Sequence, residues 1–273
     1  MRLINRKPSR GAALALAAVP FVATAVAYAI ASHYRRLENP ADKLLPSLSD
    51  MGESLLRMAF EADQRSGEYL LWVDTFDSLW RLACGMAIAT LFAMIMGTAI
   101  GFLPHARSAL APFIAAFSLV PPITVLPILF IIFGLGEASK IVLIVVGTAP
   151  VMTRSLAQAV AEVPRELIIK AETLGASTWQ IMTRVVLPMV MPRLVTAIRL
   201  GLVPAWIFLI SAEAIASASG LGYRIFLVRR YLAMDIILPY VFWITLLAYL
   251  IDRALNHLSR SVFPWHHSDG ESL

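Results

Sequence analysis

The stretch Lys170–Pro192, KAETLGASTWQIMTRVVLPMVMP, decides how the rest of the chain is read, because it carries polar residues yet stands between two long apolar runs. From Val163 to Thr183 the pattern has helical spacing: Leu167, Lys170, Ala171 and Leu174 fall along one strip, and Trp179, Met182 and Val186 continue another. Gly175 breaks it where a sharp reversal or a close backbone approach disfavours a Cβ. The predicted shape is helix, turn, helix, amphipathic rather than spanning, lying along a membrane surface. Pro188 and Pro192 suit the first turn of a following span, where a missing N–H has no intrahelical partner to lose. From these residues alone, an ordinary interfacial connector and a docking element both remain open.

Outward from this stretch the chain is greasy. Of 273 residues 59% are apolar and 15% charged, with a mean hydropathy of +0.73, outside the range of ordinary soluble domains. Runs of roughly 20 apolar residues are long enough to cross hydrocarbon. They predict spans at Ala12 to Ala31, Leu79 to Leu103, Ala109 to Phe133, Ile141 to Leu156, Pro192 to Ala216 and Ile236 to Ile251. The basic start and apolar stretch at the N-terminus also resemble a signal peptide, but the length of that stretch and the spans beyond it favour a retained first span. Between the first two spans the longest polar stretch carries one short surface helix, Met51 to Ala62.

Gly97 and Gly101 have the spacing that lets two helices approach closely in the second span. Pro121, Pro122 and Pro127 must interrupt the third, and broken backbone at that depth is tolerated where protein or a watery cavity surrounds it. The third is therefore a candidate pathway wall, with a purely structural kink equally open. Pro150 sits near the end of the fourth span. GLGEASK, Gly134 to Lys140, lacks the second glycine and the hydroxyl residue of a phosphate loop. Cys84, the single cysteine, excludes an intrachain disulfide. A net charge of +5 fits basic loops facing the cytoplasm better than nucleic-acid binding. Lys and Arg number roughly 12 on the side of the termini against roughly 10 opposite. With Arg2, Arg6, Lys7 and Arg10 ahead of the first span, this puts both termini in the cytoplasm.

The opening stretch resembles the cytoplasmic coupling loop of ATP-binding-cassette importer permeases, whose pattern is Glu-Ala-Ala, three residues, Gly, nine residues, Ile, one residue, Leu-Pro. Ala171 matches the second alanine, Gly175 the glycine and Leu187-Pro188 the ending, while Val185 stands where isoleucine is usual. Ile169 occupies the glutamate position and Lys170 that of the first alanine, which puts any polar contact of that glutamate in doubt. The segments LGASTWQIMTRVVLPMVMPRLVTAIRLGLVPAW, SAEAIASASGLGY, PPITVLPILFIIFGLGEASKI and VFPWHH are similar to the nitrate, sulfonate and taurine importer permeases. The likeness covers roughly residues 70 to 266.

That resemblance implies an all-α membrane protein of about six transmembrane helices with a cytoplasmic coupling helix. It implies a single transmembrane domain over 1–273: a first span and outer loop in 1–70, a permease core in 71–266 with its coupling loop at 163–188, and a cytoplasmic tail at 267–273. The chain would be a transport subunit rather than an enzyme, in a bacterial inner membrane, binding no cofactor itself. ATP and Mg would sit on partner ATPase subunits, a periplasmic or lipid-tethered binding protein would deliver solute, and a second copy would complete the passage. Membrane lipid would surround it, and nucleic acid has no part. ATPase coupling would fall to Ala171, Glu172, Leu174, Gly175, Ala176, Ser177, Leu187 and Pro188. The solute class is a small anion such as taurine, another sulfonate, nitrate or bicarbonate. A secondary transporter or channel driven by an ion gradient is the alternative, and it would carry an inverted repeat or paired broken helices.

Ser118, Thr124, Trp206, Ser211 and Glu213 are the candidates to line a passage, with each also able to serve packing. Glu213 lies in a span, where an ionisable group is costly unless paired between helices or used in gating. Arg199 can snorkel to headgroups or, facing a cavity, attract an anion. Arg224, Arg229 and Arg230 offer an outer charged face, and His266-His267 a weak metal pair.

Overall fold

The computed structural model describes residues 9–39, 43–64 and 66–266. Arg2, Arg6, Lys7, His267 and the 267–273 tail lie outside the described residues, as do the side chains of Arg10 and His266. The chain divides into two compact units, 1–69 with 228–241, and 70–227 with 242–273.

In the first unit α1 (Arg10–Glu38) extends the predicted first span at both ends, and none of its apolar window is buried. Tyr28 Oη donates to Pro46 O at 2.7 Å and Ser32 Oγ to Leu45 O at 2.9 Å, which pins the following turn to the helix. The surface helix, α2 (Leu48–Phe60), begins three residues earlier than its sequence pattern marks because Ser47 and Asp50 form a capping box. Asp50 N donates to Ser47 Oγ and Ser47 N to Asp50 Oδ2, each at 3.1 Å. Hydrogen bonding with Ser47 holds the Asp50 carboxyl below the usual range, and Arg36 adds to this.

The second unit is organised by glycine. Along α3 (Leu70–Phe102) and α6 (Glu137–Ala161), Gly85 faces Ile144, Gly97 faces Leu156, and Gly101 faces Val160. A Cβ on Gly101 would lie 2.5 Å from Val160 Cβ and 2.7 Å from Ala157 O, so these backbones touch only because no side chain separates them. The packing role expected of Gly97 and Gly101 is thus a seam between α3 and α6. Residue numbers climb together along this seam, so the two helices are parallel. Residues 103–136 must therefore carry the chain back from one end of the bundle to the other.

They do so as α4 (Pro104–Phe117) and α5 (Pro122–Phe133), bent by 95° at the junction. The predicted interruption of the third span is present, and the pair begins at Pro104, five residues before the predicted Ala109. The break also falls only at 118–121: Pro121 caps α5 and Pro122 opens it, whereas Pro127 sits inside the helix. One proline costs a helix a hydrogen bond, while a pair preceded by a capping serine ends it. Pro150 likewise lies in the middle of α6, which runs eleven residues past it to Ala161, rather than near its end.

The helix α9 (Leu187–Ala216) runs antiparallel to α6: Val190 and Leu194 pack with Leu156 and Val160, and at the opposite end Glu213 reaches Arg81 on α3. The last helix, α11 (Met234–Val262), exceeds the predicted Ile236 to Ile251. Its Trp243 Nε1 donates to Thr75 Oγ1 at 2.9 Å, and its ring meets Trp72 edge to face. Between α9 and α11 lies the short α10 (Leu221–Val228). Among the described residues five helices are long and apolar enough to cross a membrane, or six if the bent pair counts as one broken span.

Candidate functional site: an elbow and a passage

The elbow is built by backbone rules. The helix α7 (Arg165–Thr173) ends where Gly175 takes φ +79°, with Gly175 N donating to Glu172 O at 2.9 Å and Ala176 N to Ala171 O at 3.0 Å. This pair of bonds is a Schellman ending, which satisfies the last carbonyls and favours glycine at the left-handed position. Ser177 then starts α8 (Thr178–Ile181) through a second capping box: Ser177 N donates to Gln180 Oε1 at 2.8 Å, and Gln180 N to Ser177 Oγ at 3.3 Å. The sequence expectation of helix, turn, helix about Gly175 holds.

Two parts of that expectation do not. The second arm does not stay on the surface, because α8 passes through a wide turn at Met182–Val186 straight into α9, giving one helical stretch from Thr178 to Ala216. Leu187 N bonds to Met182 O, five residues back, and the extra residue accommodates Pro188, which brings no N–H and whose ring crowds the preceding turn. Pro188 falls in the first turn of α9, as expected, although the wide turn joins α9 to α8 without a break, and Pro192 sits inside the helix. The predicted strip is wrong as well. The inward face of the elbow is Ile168, Ala171, Ala176 and Ile181, packed on Val160, Val163 and Val186. Leu174 is 87% exposed and Trp179 68% exposed. A helix stop at Thr173 puts Leu174 outside the periodic face, which spacing alone does not register.

Of the remaining coupling candidates, Glu172, Gly175 and Ser177 are exposed, Leu187 is half-buried and Pro188 is exposed. Ile169, at the place of the family glutamate, is exposed at 56%. The elbow thus presents isoleucine, leucine and tryptophan outward while its other face is fixed to α6 and α9.

At the far end of the bundle Glu213 is fully buried. Its carboxylate accepts from Arg81 Nη1 at 2.7 Å, Ser78 Oγ at 2.8 Å and Gly222 N at 2.9 Å. Arg81 also reaches Glu137 through Nε at 2.5 Å and Nη2 at 2.9 Å, and donates to Ser219 O at 2.9 Å. Asp74 accepts from Gly220 N at 2.9 Å and Arg224 Nε at 2.7 Å, and Ser219 Oγ donates to Asp77. The network ties the 217–224 loop to α3 and α6. Of the two readings open for Glu213, the geometry is that of the pair between helices rather than a passage lining, since its carboxylate is met by protein donors.

A cavity of about 420 Å³ opens beside α4, α5, α6 and α9, lined by Ser118, Pro122, Thr148, Ser155, Pro204 and Phe208 among others. Phe208 lies across Gly147, whose missing Cβ makes room for the ring. Ser118 is the only one of the five passage candidates on this wall. Trp206 is 5% exposed in the interior, Ser211 Oγ returns to Ile207 O at 2.7 Å, and Thr124 Oγ1 caps Pro121 O at 2.7 Å. Nor does Arg199 face the cavity as a free cation: Asp252 holds it through two bonds of 2.7 and 3.0 Å, and Asn256 accepts a third. Sequence reasoning missed Arg154, whose Nη1 donates to Ser118 Oγ at 3.0 Å. A charged residue inside the predicted span Ile141 to Leu156, two residues from its end, was the available signal.

Helices long and apolar enough to cross a membrane, a cavity bordered by α4, α5, α6 and α9, and a rigid elbow packed on α6 and α9 fit a membrane permease of the importer type. The chain belongs to the family described as binding-protein-dependent transport system inner membrane component, which matches residues 89–264. It is 37% identical to the taurine transport system permease protein of Escherichia coli strain K12, over 81% of this chain and 80% of that one. It is 32% identical to a probable ABC transporter permease protein of Brucella melitensis, over 70% and 78%. Among solved structures, a chain of the MetNI methionine ABC transporter in inward-facing conformation superposes with a TM-score of 0.56 at 25% identity, covering 67% of this chain and 94% of that one. The protein is a permease subunit of an ABC transporter and works in transport rather than catalysis.

Proposed function

We propose that the chain imports a small organic anion, a sulfonate such as taurine, and that separate ATPase subunits drive it by docking on the α7–α8 elbow. The observation that carries this reading is the exposure of Leu174, Trp179 and Ile169 on a segment outside the spans. Large apolar side chains held outward on a rigid turn are what a partner groove receives. The inward face of the elbow meets α6 and α9 directly, so a push on it is passed to two crossing helices as a rigid-body shift. The partner subunits bind ATP and Mg; this chain needs only to bias an equilibrium between two arrangements. The taurine relative supports the solute class.

In this reading the elbow and both termini are cytoplasmic, the membrane is a bacterial inner membrane, and a periplasmic or lipid-tethered binding protein meets the opposite end. A second copy completes the passage, because the cavity opens at the surface of one chain. The contact residues are Ala171, Glu172, Leu174, Gly175, Ala176 and Ser177, with Leu187 and Pro188 setting the hinge into α9. Ile169 replaces a polar contact by an apolar one.

The test is co-purification of the tagged chain with its ATPase from cells expressing both. Gly175→Val forces a β-branched side chain into φ +79° and should reduce recovered ATPase at least fivefold, whereas Gly52→Val, a glycine in α2 with open space around it, should not. Undiminished ATPase on the Gly175 variant would sink the docking claim. Solute flux through the purified chain without any ATPase would favour a gradient-driven transporter instead.

A further inference from the structure

Arg154 stands on α6 seven residues before the helix ends at Ala161, about 10 Å along the axis at ~1.5 Å per residue. It also falls in the last turn of the apolar run Ile141 to Leu156, where a charged residue calls for a partner or a task. Among the described residues no carboxylate pairs with it; its guanidinium donates to the neutral Ser118 hydroxyl at 3.0 Å. Ser118 closes α4 just before the 95° bend, and its hydroxyl donates a hydrogen bond to Ala115 O at 2.8 Å.

Two cavities meet this pair. Ser118 and Ser155 line the one of about 420 Å³. Arg154, with Arg107, lines a neighbouring one of about 320 Å³. Among the described residues neither wall carries an aspartate or glutamate. Arg107 is engaged, because its Nε and Nη2 donate to the last carbonyls of α3, Ile100 O and Gly101 O. Arg154 has only a hydroxyl, so most of its planar donor fork is unspent and its charge is uncompensated. The N-terminus of α5 begins at Pro122, which lines the cavity of Ser118 and Ser155, and the N-terminal end of a twelve-residue helix carries partial positive charge. Both volumes fall within or near the range of about 300–1,000 Å³ typical of small-ligand sites.

We propose that Arg154, assisted by Ser155 and the Ser118 hydroxyl, is a binding site in the passage for the oxyanion head of the transported solute. The proposal rests on the importer reading and names the group within the passage that the solute's charged end meets. A sulfonate or carboxylate accepts two guanidinium N–H bonds, while the apolar wall of Phe208, Pro204 and Pro122 covers a short carbon chain. Ser118 releases Arg154 as the anion arrives, which couples occupancy to the hinge between α4 and α5. The same guanidinium chemistry suits a lipid phosphate, so the test separates the two sources.

The full chain is placed in nanodiscs of phosphatidylcholine, and ethanesulfonate is titrated by isothermal calorimetry. The expected result is saturable binding that weakens about ten- to hundredfold in Arg154→Gln, the loss of a charge-assisted fork, and less in Arg154→Lys. Arg107→Gln should leave it within about threefold. An unchanged thermal transition in Arg154→Gln shows that the variant folds, and Ser155→Ala provides a milder second probe, expected at about two- to fivefold. Repetition in phosphatidylglycerol discs identifies the source. Binding that persists there supports a solute site, and binding abolished by the anionic lipid assigns Arg154 to a headgroup and overturns the proposal. Absence of ethanesulfonate binding, or equal binding by Arg154→Gln, also overturns it. ATPase recovered with the wild-type chain alongside either negative result leaves the importer reading standing, whereas loss of that recovery would count against the reading itself.

Discussion

Replacing Glu213 by alanine should unfold this protein more readily than any other single change at the far end of the bundle. Glu213 is fully buried and accepts four hydrogen bonds from three residues, Arg81, Ser78 and Gly222. Removing it strands the Gly222 N–H and leaves the buried Arg81 guanidinium with Glu137, whose carboxylate is half in solvent. Breaking one member of a buried pair costs about 3–5 kcal/mol. At about 2–4 °C per kcal/mol for a large domain, the apparent Tm should fall by ~6–20 °C. Glu213→Gln keeps the shape and one acceptor and should lose about half as much. The informative variant is the double replacement Arg81→Met with Glu213→Leu, since apolar pairs of similar volume often match or exceed a buried ion pair. It should recover most of the loss, although Glu137 then keeps only Lys140 at 2.9 Å. The assay is thermal unfolding of the detergent-solubilised chain, read by loss of monodispersity and compared by rank. The reasoning is refuted if Glu213→Ala melts within about 2 °C of wild type, or if the double variant melts no higher than Glu213→Ala.

Gly101→Leu should separate α3 from α6, because even the first carbon would meet Val160 Cβ at 2.5 Å; yield of folded protein should collapse, while Gly11→Leu, with open space around it, expresses normally. Gly175→Ala should cost about 1–2 kcal/mol through its left-handed backbone alone, seen as faster hydrogen exchange at Ala176 with the rest of the chain unchanged. Ser47→Ala should loosen the start of α2 by about 1 kcal/mol, measured by exchange at Asp50 N. In the wild type that cap is insensitive to pH above the unfolded aspartate value of about 4, and weakens only as pH falls through the lower folded value. A cap lost between pH 7 and 5 would contradict this. Pro188→Ala restores an N–H and should allow the wide turn at Met182–Val186 to relax, shifting the elbow relative to α9 in spin-label distances without loss of fold.

Much of the architecture was legible because lipid leaves a chain few options. Apolar length marks the crossings, and in hydrocarbon only helices satisfy their own backbone. Gly175 and Ser177 announced the elbow because left-handed backbone and helix caps are short-range chemistry. Helix ends were misjudged wherever polar residues continue a helix beyond the membrane, as from Leu70 to Ser78 in α3 and from Asp252 to Val262 in α11.

What no local pattern contains is which side chains meet across the bundle. The partnership of Arg81 with Glu213, 132 residues apart, and of Arg199 with Asp252 follows from the parallel run of α3 with α6 and the antiparallel return of α9. That register is set by glycines which permit contact without dictating its partner. The sequence by itself determined a greasy helical bundle with a protruding glycine turn, since hydrophobic length and backbone conformation act within a few residues of one another. Only the tertiary structure decided that Glu213 is locked away, that Leu174 and Trp179 face outward, and that Arg154 looks onto a cavity without a counter-charge. Burial and electrostatic pairing depend on residues brought together from far along the chain.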